Sequence, residues 1–479
     1  MHLASLHFLG LVAICLALFH LAPFLTWRRA VLLIVNIVFV SSFARTPSEL
    51  IPLGCFLLFG YICMRLIAWR RSRPLLILCV VSVLALFIYL KKYSFLHPNL
   101  LIERPYVVVG FSYILFRFLQ VFVDIYQGAI TSRISPIRFF NFTCSFLSFV
   151  SGPIQRFQDY HDQEKSLAAV EISHDVAYRA FSRIANGYLK IVFFAAVFQK
   201  LHEHLWGMLR STGYDYPLWL IYGIACMAYL LYMYINFSGY MDVVIGIGWL
   251  FGFQMPENFE YPLGSENFLE FWNRWHITLS NWFKLYVFNP LVKSLIRRWP
   301  NPARISDYGI IAYFVTFFLM GLWHGTTYAF VIYGLFLGFG MSVNKLFEIE
   351  MRRYLGKKNY TRLSGNLGYR SLTQGLTIAY FAIALTCLWM NISEMRHFAN
   401  LPGLRACIFG FGACAIAVMV VRIVYEGLKR IPSGPIDAIR FAWDNSFFRQ
   451  AGLAVRVFAL IFIIFSSHTA MPEIVYMGF

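Results

Sequence analysis

Apolar residues in this chain come in runs near or above the ~18–20 residues that a membrane-spanning helix needs. They recur at 3–25, 50–69, 74–90, 218–235, 377–389 with its neighbours and 453–465 with its flanks. On the length rule this predicts about ten to twelve transmembrane helices, plus shorter apolar pieces that do not cross in the ordinary way. The middle is irregular. The run 139–150 is too short to span and leads into Ser151-Gly152-Pro153-Ile154, where glycine and proline break a helix, so a re-entrant segment shielded by protein is expected. The polar, mixed-charge stretch 156–165 reads as a solvated cytoplasmic loop. The first run lacks the basic start and small-residue cleavage site of a leader, so it reads as a retained span. With no low-complexity linker and no repeat, 1–479 reads as one membrane domain: N-terminal spans over 1–138, a core over 139–348 and C-terminal spans over 349–479.

Composition agrees. Of 479 residues, 59% are hydrophobic and 13% charged, against roughly 25% charged in soluble domains. The fold class is an all-α polytopic integral membrane protein. A net charge of +18 would suggest nucleic acid in a soluble protein, but here the basic residues cluster between apolar runs and report topology. Segments 28–29, 65–73, 133–138, 351–370 and 429–449 fall in the cytoplasm on the positive-inside rule, which places both termini outside. Lys91 and Lys92 are the exception. The nine cysteines form no CxxC pair and no metal-type spacing with histidine, so neither disulfides nor a metal site are inferred.

Three places carry candidate chemistry. Read as a helix, 271–283 (FWNRWHITLSNWF) puts Trp272, Trp275, Leu279, Trp282 and Phe283 on one apolar arc. Asn273, His276, Ser280 and Lys284 then fall on an adjacent polar stripe. An interfacial helix with His276 as a bystander explains that pattern as well as a reactive histidine does. Further on, 321–327 (GLWHGTT) lies between two apolar runs whose outer flanks, 297–304 and 351–370, are both basic. The two runs should form a hairpin whose turn carries His324. At ~1.5 Å per residue the turn lies roughly 20 Å in, past the midplane of a ~30 Å hydrocarbon core. An ionisable group at that depth is functional by default, the alternative being a histidine satisfied by a neighbouring helix. The nearby Gly321 and Gly325 would let a substrate or another backbone approach. Asp242, followed by Gly246, Gly248 and Gly252, is better read as structural, held by a backbone donor or a buried arginine such as Arg274.

Four blocks in order, 151–156 (SGPIQR), 236–262 (NFSGYMDVVIGIGWLFGFQMPENFEYP), 271–283 and 321–325 (GLWHG), resemble the membrane-bound O-acyltransferase (MBOAT) superfamily. Their order and spacing are similar to its bacterial branch of alginate O-acetylation and teichoic-acid D-alanyl transfer proteins. The resemblance implies a helical fold in a bacterial inner membrane, with transmembrane and re-entrant or interfacial helices around a central tunnel or funnel. It implies a thioester donor, acetyl-CoA or an acyl-carrier-protein thioester, arriving from the cytoplasm, with no bound cofactor and the acyl group leaving outward. His324 matches the signature catalytic histidine and His276 the second signature position. Trp323 and Trp275 would shape the pocket, and Asn273 or Ser280 would orient donor or histidine. The C-terminal MPEIVYMGF resembles an aromatic motif of the branch, which makes Tyr476 a candidate to relay the acyl group. An interfacial anchor explains that tyrosine equally well. The expected function is transfer of an acyl, foremost acetyl, group to a hydroxyl of a cell-envelope or exported polysaccharide. A periplasmic or extracellular acyltransferase or a small membrane protein would be the partner. D-alanyl transfer is the alternative within the family, and a transporter of an acyl or lipid-linked group is the alternative outside it.

Overall fold

The computed structural model describes residues 6–211, 217–399, 401–429 and 446–466. Both chain ends, and with them Tyr476, lie outside the described residues. Within these the chain is helical, with no strand and one isolated bridge between Phe259 and Trp275. The order begins α1 (Leu6–Leu21), α2 (Leu25–Ser41), α3 (Ile51–Trp69), α4 (Arg73–Leu90), α5 (Phe111–Tyr126), α6 (Pro136–Thr143), α7 (Phe157–Ser166) and α8 (His174–Leu189). A π turn over Lys190–Ala195 joins α8 to α9 (Ala196–Arg210), followed by α10 (Leu218–Leu250), α11 (Phe268–Arg274) and α12 (Ile277–Phe283). A second π turn, Lys284–Phe288, leads to α13 (Asn289–Arg298), α14 (Ile305–Trp323) and α15 (Tyr328–Ser364). The last are α16 (Leu367–Ala384), α17 (Thr386–Trp389), α18 (Ile392–Phe398), α19 (Leu401–Leu428) and α20 (Ser446–Ser466).

Eight stretches among the described residues are long and apolar enough to cross a bilayer: α3, α4, α8 with α9, α10, α14, α15, α16 with α17, and α19. Three further apolar helices, α1, α2 and α5, are slightly shorter, with 16, 17 and 16 residues. Many apolar side chains point outward, such as Ile14, Leu78 and Val421, as expected where the surrounding solvent is hydrocarbon rather than water.

The described residues group into two compact units. One holds those before Leu189 together with Tyr240–Glu257. Its centre is α5, where Tyr113, Arg117, Gln120 and Asp124 recur at helical spacing and are all buried. This stripe serves the irregular chain after α6. Arg117 donates to the Thr143 carbonyl, to the Ser148 carbonyl at 2.9 Å and to the Ser148 hydroxyl at 2.7 Å. Asn36 accepts from the Phe146 N–H at 2.8 Å, and Tyr240 donates to the Gly152 carbonyl at 3.2 Å. The non-helical segment 144–152 is buried throughout, apart from the half-buried Ser145, and side chains do the hydrogen bonding that water cannot.

Two expectations change in this unit. The stretch 156–165 is a helix, not a solvated loop: in α7 Phe157, Tyr160 and Glu164 form a buried face. Glu164, 1% exposed, pairs with Arg29 at 3.0 Å and Arg138 at 2.8 Å. Two arginines from separate basic segments neutralise the acid that made the stretch look solvated. The aspartate on α10 is held structurally, but by Arg183 of α8, whose Nε lies 3.0 Å from Asp242. Arg274 instead pairs with Glu270 four residues earlier, at 2.7 Å. The approach of α8 to α10 needs Gly246, since a Cβ there would sit 2.9 Å from the Ala180 carbonyl oxygen.

The second unit holds Leu189–Gly239 and the described residues from Asn258 onward. Its frame is the hairpin of α14 and α15, with α16 packed on α15 and α19 on α16. A break at Gly356 (φ 75°, ψ 153°) divides α15, and the stretch before it, 328–355, at ~1.5 Å per residue already outruns a ~30 Å hydrocarbon core. The later turns of α15 carry the exposed Arg352, Arg353, Lys357 and Lys358.

Candidate functional site

His324 ends α14, in the turn between α14 and α15, as the flanking charge pattern predicts. The turn is tight because Gly321 faces Gly334: a Cβ on Gly321 would lie 2.2 Å from the Gly334 Cα. The glycine therefore admits another backbone. His324 is 4% exposed, with its ring edge-on to Trp323 at 5.0 Å and to Tyr333 at 5.5 Å. Its Nδ1 lies 2.7 Å from the carbonyl oxygen of Met320, one helical turn back. A carbonyl only accepts, so Nδ1 carries the hydrogen and Nε2 holds the lone pair.

The segment carrying His276 is not one helix. It is two short ones, α11 and α12, broken at Trp275 and His276. Trp275 bridges to Phe259, and His276 adopts φ 45° and ψ 52°, a left-handed conformation. The break is stabilised from upstream by Asn258. Its carbonyl accepts from the Ile277 N–H at 3.0 Å, and its side-chain oxygen accepts from the N–H and hydroxyl of Thr278 at 3.0 and 2.7 Å. These bonds satisfy the opening donors of α12. The turn swings His276 away from the exposed Asn273 and Lys284. It becomes fully buried, with Phe237 edge-on at 4.9 Å.

Both histidines belong to the second unit, and His324 acts electrostatically on His276. Burial holds the His276 imidazole well below its ordinary pKa, and a charge on His324 lowers it further. Burial therefore favours the neutral His276 imidazole, and a charge on both rings at once is disfavoured.

The other sequence-derived residues sort by burial. Trp275 is 1% exposed and packs in an aromatic cluster with Phe271, Phe259 and Phe381 at 5.2–5.4 Å. Trp323 is half-buried beside His324, and Ser280 is half-buried with its hydroxyl on the Trp275 carbonyl at 3.4 Å. Asn273 is exposed. Sequence reasoning missed Met320, Tyr333, Phe237 and Asn258. Only Met320 had a readable signal, its position four residues before His324 on a helix.

The membrane-bound O-acyltransferase family model matches residues 126–370, half of the chain, with both histidines inside. The probable alginate O-acetylase AlgI of Pseudomonas aeruginosa is 29% identical over 434 residues, covering 86% of this chain and 78% of that protein. The protein of the same name from Pseudomonas syringae pv. tomato is 30% identical over 246 residues, 51% of this chain. In that match the chain spans only 44% of the relative's length. The teichoic acid D-alanyltransferase of Bacillus subtilis is 29% identical over 307 residues, covering 62% of this chain and 74% of that protein. The match holds the two histidine segments, the irregular 144–152 chain and the α14–α15 hairpin in one continuous block, and the chain belongs to the membrane-bound O-acyltransferase family.

Proposed function

We propose that this chain is an O-acyltransferase that moves an acetyl group from a cytoplasmic thioester, acetyl-CoA or an acyl-carrier-protein thioester, to a hydroxyl on the outer side of a bacterial inner membrane. The acceptor is a cell-envelope or exported polysaccharide, reached directly or through a periplasmic acyltransferase or a small membrane partner. The observation that carries this reading is the fixed tautomer of His324: the Met320 carbonyl holds the Nδ1 proton and leaves Nε2 as the base.

In the proposed step Nε2 removes the acceptor hydroxyl proton as that oxygen bonds to the thioester carbonyl carbon. The C–S bond then breaks, and the thiolate takes the proton from the imidazolium. With His324 itself buried, a lasting charge on its ring is unfavourable, so prompt return of the proton to the leaving sulfur suits the site. Trp323 walls the site beside His324, and Trp275, within its aromatic cluster, holds the turn that aims His276. Asn273, Ser280 and Tyr476 keep their proposed roles of orienting the donor and relaying the acyl group.

Acetyl is favoured over D-alanyl because the alignment with the Pseudomonas aeruginosa relative runs over 86% of this chain, well past the family block. Purified protein in nanodiscs, given radiolabelled acetyl-CoA, tests both readings. Thioester turnover should fall about 10²–10⁴-fold in His324→Ala and also fall in His276→Ala. Equal turnover in wild type and His324→Ala would sink the base mechanism. Turnover only of a D-alanyl carrier thioester would replace the acetyl reading.

A further inference from the structure

A cavity of about 620 Å³, lined by neither His276 nor His324, lies within the second unit between α10, α16, α19 and the turn at Leu263 and Gly264. It falls in the ~300–1,000 Å³ range of small-molecule sites. Most of its wall is apolar, including Leu220, Ile224, Ala417 and Val421, and these four are exposed. They stand on helices long and apolar enough to cross the membrane, so the mouth opens toward hydrocarbon rather than water.

One end is polar and, among the described residues, carries excess positive charge. Arg422, 9% exposed, lines it. Both Arg422 and Arg370 donate to the same Glu266 oxygen, at 2.8 and 2.6 Å. Two guanidinium groups thus share one carboxylate. Glu426, also in the wall, is matched by Lys429 at 3.6 Å. The Nε of Arg422 is buried with no hydrogen-bond partner among the described residues, a donor that costs free energy until an acceptor reaches it. This end also adjoins the start of α16, whose first residues belong to the basic segment 351–370 that the positive-inside rule places at the cytoplasmic face. Anionic phospholipid headgroups are concentrated at that face.

We infer that this groove is a binding site for one anionic phospholipid of the surrounding bilayer, its phosphate on Arg422 and Arg370 and one acyl chain lying along α19 past Ala417. The inference is independent of the acyl-transfer reading, since it concerns bound lipid and not turnover. The site is tied to the chain leading into α11. Gln374 accepts from Arg422 at 2.5 Å and donates to the Leu263 carbonyl at 2.7 Å, and Glu266 stands just before Asn267, the N-cap of α11. A lipid that satisfies Arg422 therefore braces the turn from which the His276 segment starts.

Native mass spectrometry of the purified full chain, exchanged into equal mixtures of phosphatidylglycerol and phosphatidylcholine, tests it. Wild type should retain one phosphatidylglycerol per chain with about tenfold preference, equivalent to ~1.4 kcal/mol. Ala417→Trp, which fills the groove and leaves the charged cluster intact, and Arg422→Gln should each lose that retention. Val420→Trp, on the same helix but outside the wall, should keep it. Thermal melts identify any variant that fails to fold, and Ala417→Trp, at an exposed position, carries the test if Arg422→Gln does so. Equal retention of both lipids, retention by folded Ala417→Trp, or an isoprenoid phosphate in place of a phospholipid would each overturn the inference.

Discussion

At the scale of single residues, the proposed mechanism needs a neutral imidazole, and His276 makes the neutrality of a buried one measurable as stability. Burial, followed by the charge of His324, holds its folded pKa well below the ordinary value. In the unfolded chain it titrates near ~6.5. Between the two values the unfolded state binds the extra proton, so the contribution of His276 is fully present above about pH 6.5 and is lost as pH falls. The melting temperature of the wild type in detergent should therefore drop from pH 7 to pH 5 by more than that of His276→Phe, which fits the same aromatic surroundings and does not titrate. His161 on α7, also depressed by burial and next by Arg138, leaves a residual slope of the same sign in the variant, as do the buried His202 and His324. Identical slopes would mean that His276 is not buried in its neutral form.

At the scale of elements, the α14–α15 hairpin positions His324 through glycines with very different surroundings. A Cβ at Gly321 meets the Gly334 backbone, whereas one at Gly309, on the same helix, meets nothing within 4 Å. Gly321→Ala should cost about 1–3 kcal/mol through forced separation of the helices and reduce turnover at least tenfold although His324 is intact. Gly309→Ala should be neutral or stabilise by about 0.5–1 kcal/mol. Matched thermal melts and turnover assays decide, and an unaffected Gly321→Ala would remove close packing as the device that aims His324. This hairpin was legible in the sequence because apolar length and flanking charge are local signals. The break between α11 and α12 was not. Its aromatic spacing suits one helix as well as two, and the bonds that make the break come from Asn258, many residues upstream. Helix α7 was hidden for a related reason: Glu164 reads as solvated until Arg29 and Arg138, distant in sequence, are seen on either side of it.

At the scale of the whole molecule, the direction of transfer rests on which side each end of a span occupies. Leu367–Trp389, with 23 residues at ~1.5 Å each, reaches across a ~30 Å core. Tyr354, in the exposed basic turns of α15, and Asn391, the N-cap of α18, must therefore lie on opposite faces. The charge pattern assigns Tyr354 to the cytoplasm. A membrane-impermeant maleimide applied to intact cells should label Asn391→Cys but label Tyr354→Cys only after permeabilisation. The reverse result would leave the histidine pair and its chemistry untouched. It would put the basic end of the second unit outside, where no cytoplasmic thioester could meet it, and the donor and acceptor sides of the proposed reaction would have to be exchanged.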